Sequence, residues 1–319
     1  MVYKKTGQFQ ADKNNLKRLV LKYGYADFTF TAVDSGIENS TFIIKSDDTF
    51  VLRVYRYVKK SVDDINREVD FMQKLRINGL SVPRVLPNTS GKYMSNINIG
   101  QNQWSAIAME YIAGHHPESY NATIIDQLAA SQAVMHQIGI QYAQQTNANP
   151  VLQLTPGEFT DQIINEEIVN SHVKELIGHA RAYTVILDNR LAYGYVHNDY
   201  DIENTLFDVN NKLVGILDFD DLVVMPVVVC LAFSLWSLLF ETSDMKLVTR
   251  YINMYIKTRQ LTTHELSYIP QILLFRHYAI TTLLVLRGEI DDETLQTCQE
   301  VESLLLTMIE RNDLDKYFN

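Results

Sequence analysis

Positive charge is scarce: 28 Lys and Arg stand against 38 Asp and Glu, a formal net charge of −10 over 319 residues. Binding a phosphate backbone needs clustered Lys and Arg, so no nucleic-acid partner is expected. Cysteine is scarcer still, with only Cys230 and Cys298 and no CxxC spacing. That excludes a disulfide framework and a zinc site, and it fits a reducing cytoplasm. The positively charged start, MVYKKTGQFQADKNN, has no apolar stretch behind it, so no signal peptide is expected. Long hydrophobic runs are limited to Leu222 to Phe240, which carries no charge and approaches the length of a membrane span. Pro226 interrupts it near its start, and Asp220, Asp221, Glu241 and Asp244 flank it. An anchored span prefers basic flanks, so this run is expected to be a buried core helix starting at Val227. What is plentiful is core material: 46% of residues are hydrophobic and 21% charged, the balance of an ordinary folded enzyme.

The chain divides by pattern. A helix is expected over Ala11 to Tyr23, then β-rich runs at Ala26 to Val33, Ser40 to Lys45 and Thr49 to Arg56. Asp47-Asp48 reads as the hairpin turn between the last two. Ser61 and Asp64 form a capping-box-like pair, followed by Ile65, Val69, Met72 and Leu75 at helical spacing. Gly79 ends that helix. Further β-rich sequence lies at Lys92 to Met94 and Trp104 to Met109. From Tyr120 the patterns are helical, broken once between Tyr193 and Phe219. The expected plan is α+β: a small antiparallel β-sheet lobe over residues 1–110 and a larger, mainly helical lobe over 111–319.

The break carries the chemistry. His197-Asn198-Asp199 is followed by Asn204, and Ile216-Leu217-Asp218-Phe219 lies further on. The pattern is HxDxxxxN, then an apolar strand ending in Asp-Phe. Phosphoryl transfer asks a protein for positioning and charge neutralisation. One carboxylate must orient the attacking hydroxyl and take its proton, which suits Asp199. A metal needs an amide oxygen and a second carboxylate, which suits Asn204 and Asp218, and Mg2+ takes such oxygen donors. In the β-rich part, Arg53 lies in a strand and Glu68 on the next helix, the order in which a basic group holds phosphates and an acid fixes it. The turn Asp34 to Thr41 holds Gly36 alone, so GxGxxG is absent. Its backbone N–H groups with the Asn39, Ser40 and Thr41 side chains could cradle phosphate, a plain hairpin turn being the alternative.

These blocks together resemble the aminoglycoside phosphotransferase and choline kinase superfamily, a branch of the protein-kinase-like fold, and are closest to its homoserine-kinase-like members. The resemblance runs from about Thr31 to Leu239. It implies a bilobal fold and ATP with Mg2+ as cofactors. It also implies an adenine-facing hinge at Met109 to Ile112, including Glu110 and Ile112, and an acceptor pocket built by the tail after Asp221. This chain departs from the family in places. Asn198 replaces the glycine of HGD, Arg53 stands where Lys is commoner, and Cys230-Leu231-Ala232 stands where Asp-Leu-Ala is usual. That Asp normally braces the catalytic loop.

Asp201, Glu203 and Asp221 crowd the same region with negative charge, which would draw a cationic acceptor. The expected function is an ATP-dependent kinase for a hydroxyl of a small, amine-bearing molecule: an aminoglycoside, an amino alcohol or a homoserine-like compound. The alternative is a non-catalytic nucleotide-binding or scaffold protein of the same fold. No membrane partner is expected, and oligomeric state is not legible.

Overall fold

The computed structural model describes residues 13–33, 39–55, 60–155 and 171–311. Internal contacts divide the chain into two units. A sheet unit holds residues 4–115 with 214–219, and a helical unit holds residues 1–3, 116–213 and 220–319.

The sheet unit opens with helix α1 (Lys13–Val20), tightened into a 3-10 turn over Leu21–Tyr23. Strands β1 (Thr29–Val33), β2 (Ser40–Lys45) and β3 (Thr49–Val54) follow. Helix α2 (Val62–Ile77) then leads to β4 (Val85–Leu86), β5 (Met94–Ile99) and β6 (Asn102–Glu110). The antiparallel order is β1-β2-β3-β6-β4, with β5 also paired to β6. Alternation along β3 sets its two faces. Phe50, Leu52 and Val54 enter the core with Phe42, Ile44 and the Leu16, Leu19 and Val20 side of α1. The opposite phase carries Arg53 toward Glu68 of α2. Helix α2 starts at Ser61, whose side chain accepts the Asp64 N–H while the Asp64 carboxylate accepts the Ser61 N–H. That is the capping box expected from sequence.

In the helical part come α3 (Ala122–Thr146), β7 (Gln153–Leu154), α4 (Ser171–Ala182), β8 (Val185–Ile186) and β9 (Tyr193–Val196). After these lie β10 (Thr205–Phe207), β11 (Leu213–Ile216), β12 (Val223–Pro226), α5 (Val227–Thr242), α6 (Met245–Tyr255), α7 (Thr263–Arg287) and α8 (Asp292–Arg311). Strand β9 pairs antiparallel with β12, Val196 facing Val223.

Two glycines let α3 lie against β9. A Cβ on Gly139 would stand 2.1 Å from the Tyr195 carbonyl oxygen, and one on Gly194 would stand 2.5 Å from the Ile140 nitrogen. Neither position accepts a side chain, so backbone meets backbone one residue-pair ahead of His197.

The charge-free run behaves as expected from Val227 onward: every residue from Val227 to Trp236 is buried in α5. Among the described residues no helix is long and apolar enough to cross a membrane. The residues ahead of α5, Val223–Pro226, form a strand on β9. Pro226 ends that strand where no further ladder N–H is needed. The β7–β8 pair is also new to the structure, since two-residue strands are too short to leave a periodic signal.

Candidate active site

Within the sheet unit, Arg53 is the centre of a charge network. Its Nη1 lies 3.1 Å from Asp218 Oδ1 and 3.6 Å from Glu68 Oε1. Glu68 is fully buried, and a buried carboxylate must be paired. Its closer partners are the Tyr55 hydroxyl at 2.9 Å and Lys60 Nζ at 3.0 Å. Lys60 was not foreseen: it sits just ahead of the helix cap, where no periodicity links it to Glu68. Two cations and two carboxylates therefore balance, with Arg53 turned more toward Asp218 than toward Glu68.

Asp218 itself has a left-handed backbone, φ 57°, at a cost of about 1 kcal/mol for a non-glycine residue. Such strain is often kept at functional positions. Strand β2 brings Ser40 opposite Val54 and Thr41 opposite Arg53, with Asn39 just ahead of the strand. Gly36 lies outside the described residues. At the expected hinge, Glu110 ends β6; its Oε2 is 3.1 Å from Arg76 and accepts the Arg84 N–H at 3.2 Å. Glu110, Tyr111 and Ile112 line a groove of about 510 Å³ with Arg76, Ser81 and Val82, within the size range of small-molecule sites.

Within the helical unit, the loop after β9 presents Asp199. Asn204 Nδ2 donates to Asp199 Oδ2 at 3.1 Å and to the Asp199 carbonyl at 2.8 Å. Because the amide nitrogen is given to Asp199, the amide oxygen is the atom Asn204 can turn to a cation. Arg276 Nη2, from α7, donates to Asp199 Oδ1 at 2.9 Å.

The loop holds its own shape. Asp201 Oδ1 accepts the N–H groups of Glu203 at 3.0 Å and Asn204 at 3.2 Å, an Asx-type turn. Burial, with the charges of Asp199 and Glu203, pushes the Asp201 carboxyl up to about 7. Glu203 is exposed, and Asp221 is exposed on the 3-10 turn Phe219–Asp221. Glu241, on α5, is raised by burial and by Glu203, which adds a fourth acid to the three named from sequence.

Asn198 has φ 68°. This explains both the family's glycine there and the asparagine here, since Asn tolerates the left-handed region better than most side chains. The floor beneath the loop is polar and largely buried. The Asn198 N–H reaches Cys230, so a thiol takes the place of the usual aspartate. Ser234 Oγ donates to the Tyr200 carbonyl at 2.6 Å and accepts from Gln132 Nε2 at 2.7 Å. The Tyr251 hydroxyl donates to Gln132 Oε1 at 2.9 Å. Ser131 Oγ and the Tyr200 hydroxyl are 2.6 Å apart. Burial raises the Cys230 thiol to about 11, so it stays neutral there. Trp104 and Trp236 are both buried; His115 and His116 are exposed.

Comparison with known proteins bears on the family and the fold. Residues 29–266 match the family described as "Phosphotransferase enzyme family". An amicoumacin kinase of Bacillus subtilis (strain 168) is 23% identical over 260 residues, covering 76% of this chain and 75% of that protein. A homoserine kinase of Agrobacterium fabrum (strain C58) is 25% identical over 274 residues, covering 81% and 80%. Among solved structures, the amicoumacin kinase hAmiN in complex with AMP-PNP, Ca2+ and Ami superposes with a TM-score of 0.68 at 20% identity. It covers 95% of this chain and 94% of its own. A microcompartment-associated aminopropanol kinase also gives 0.68, at 14% identity, covering 96% and 98%. The fold is therefore kinase-like, with an antiparallel sheet part and a larger helical part.

Proposed function

The chain belongs to the phosphotransferase enzyme family, and we propose that it moves the γ-phosphoryl group of ATP onto a hydroxyl of a small, amine-bearing molecule. The observation that carries this reading is the presentation of Asp199, partly exposed, with its carboxylate oriented by Asn204. As the acceptor oxygen bonds to the γ-phosphorus, the bond to the β–γ bridging oxygen breaks and ADP leaves. The hydroxyl proton passes to the Asp199 carboxylate and from there to solvent.

Asn204 and Asp218 are the oxygen donors we assign to a divalent metal, Mg2+ in our reading. The amide of Asn204 has its nitrogen committed to Asp199, and Asp218 keeps a second carboxylate oxygen beyond the one facing Arg53. Hard oxygen donors of this kind suit Mg2+, which supplies charge neutralisation at the phosphates when bound. Arg53 is assigned to the phosphates, held in place by Glu68, with Gly36, Asn39 and Ser40 as the phosphate turn. Glu110 and Ile112 are assigned to adenine. Asp201, Glu203 and Asp221 give the acceptor side its negative charge, which supports an amine on the acceptor. The curated relatives named for homoserine and amicoumacin support the small-molecule class. A cytoplasmic setting without nucleic-acid or membrane partners fits the composition.

The test is transfer of label from γ-labelled ATP to a panel of amino alcohols, hydroxy amino acids and aminoglycosides. Labelled product from the native chain but not from Asp199→Asn supports the reading. ATP binding without transfer to any acceptor would favour the non-catalytic alternative.

A further inference from the structure

Arg276 is the one cation that touches Asp199 among the described contacts, and no sequence pattern announced it. It lies on α7, and its guanidinium carbon stands 4.6 Å from the centre of the Phe233 ring and 6.0 Å from that of Trp236. Its side chain is 17% exposed, so stacking and burial fix its position while one edge stays open. Its Nε is buried with no hydrogen-bond partner among the described residues. A guanidinium carries five N–H donors in a planar fork that matches a carboxylate. This one spends Nη2 on Asp199 and leaves Nε unsatisfied. An unpaired buried donor is unfavourable, so the guanidinium is not saturated by its contact with Asp199.

Both oxygens of Asp199 are engaged, Oδ1 by Arg276 and Oδ2 by Asn204. An acceptor hydroxyl that approaches the carboxylate must share or displace one of these contacts. Asn204 is held by a second bond to the Asp199 carbonyl, so Arg276 is the partner free to yield. An acceptor carrying only an ammonium group would place a like charge beside the guanidinium. An acceptor carrying a carboxylate as well would offer Arg276 a bidentate replacement. Negative charge for the amine is at hand: Asp201 feels Asp199 and Glu203, and Glu241 feels Glu203.

We infer that Arg276 reads a carboxylate on the acceptor, which makes the acceptor a hydroxylated zwitterion of amino-acid type. This rests on the phosphotransferase reading and narrows it. Arg276 is then a specificity-determining residue, and its pairing with Asp199 is what a carboxylate-bearing acceptor displaces.

The experiment uses the full chain with ATP and Mg2+ and acceptor pairs that differ only by a carboxylate. The pairs are L-homoserine with 3-aminopropan-1-ol, L-serine with 2-aminoethanol, and L-threonine with 1-aminopropan-2-ol. Acceptor-dependent ADP release is measured for the native chain, Arg276→Gln and Arg276→Lys. In at least one pair the carboxylate-bearing member is expected to have a kcat/KM at least about tenfold higher, the minimum for a site built around that group. Arg276→Gln should raise KM for that member by about tenfold while changing its partner by less than about threefold, and Arg276→Lys should restore part of the loss. Preference of the native chain for the amino alcohols overturns the inference, as does failure to use any carboxylate-bearing member. An equal fall in kcat for both members of a pair in Arg276→Gln also overturns it, because the residue would then act only through Asp199. Mg2+-ATP binding measured on the same samples separates the failures: its absence overturns the phosphotransferase reading and this inference with it.

Discussion

Ser234→Ala tests whether the buried floor positions the loop that bears Asp199. Ser234 is 3% exposed and bridges the Tyr200 carbonyl and Gln132 Nε2. Alanine removes the hydroxyl and nothing else, leaving both of those groups short of a partner. Each orphaned buried polar group costs about 1–3 kcal/mol. Gln132 can still reach the Cys230 carbonyl at 3.3 Å, so the total falls at roughly 2–4 kcal/mol. For a chain of this size that lowers Tm by on the order of 3–6 °C. Tyr200 is the residue after Asp199, so a shift of its carbonyl moves the base. A displacement near 1 Å reduces turnover by up to about a hundredfold. Mg2+-ATP affinity should fall by much less than turnover: Asn204 shares the displaced loop, but Arg53, Glu68 and Asp218 belong to the other unit. Calorimetric melting, ATP titration and acceptor turnover read the three quantities. An unchanged Tm, or loss of ATP affinity with full turnover, would refute the reasoning.

Gly139→Ala should destabilise by about 3 kcal/mol, since the new Cβ would press on the Tyr195 carbonyl. The same substitution at Gly178, a helical position with open space around it, should stabilise by about 0.5–1 kcal/mol. Opposite signs in parallel melts support the close packing of α3 on β9; equal signs contradict it. Burial draws His277 down to about 4, with Glu302 opposing. Its folded-state pKa lies below the unfolded value near 6.5, so the neutral form is favoured on folding. That contribution is fully present above about pH 6.5, declines as the pH falls, and is lost below about 4, roughly 3 kcal/mol in all. The difference in stability between the native chain and His277→Gln should shrink over that interval in urea titrations at stepped pH. A difference that stays constant contradicts the assignment.

Much of this was legible in the sequence because short-range chemistry left a mark. Ser61 and Asp64 announced the start of α2, and the order of strand and helix linked Arg53 with Glu68, which do face each other. The spacing from Asp199 to Asn204 put the two side chains in one loop, where they do bond. Pro226 marked where the apolar run becomes helix. What escaped was long-range. Arg276 lies 77 residues from Asp199, and Gln132 reaches Ser234 across 102 residues. Tertiary packing alone creates such pairs. Cys230 was legible as a departure, but its meaning was not: the brace lost with the aspartate is rebuilt from a thiol, a serine and a glutamine on two helices. Lys60 hid for another reason, sitting in an irregular stretch where neither helical nor strand periodicity applies.

The most direct test of the central claim is calorimetric titration of Mg2+-ATP into the native chain, Asp199→Asn and Asp218→Ala, with acceptor turnover followed on the same samples. Asparagine keeps an oxygen for Arg276 but cannot take the hydroxyl proton, so Asp199→Asn should bind Mg2+-ATP as the native chain does and transfer nothing. Asp218→Ala removes a metal donor and the partner of Arg53, so its affinity should fall at least about tenfold. Turnover surviving in Asp199→Asn, or Mg2+-ATP affinity undiminished in Asp218→Ala, would contradict the account.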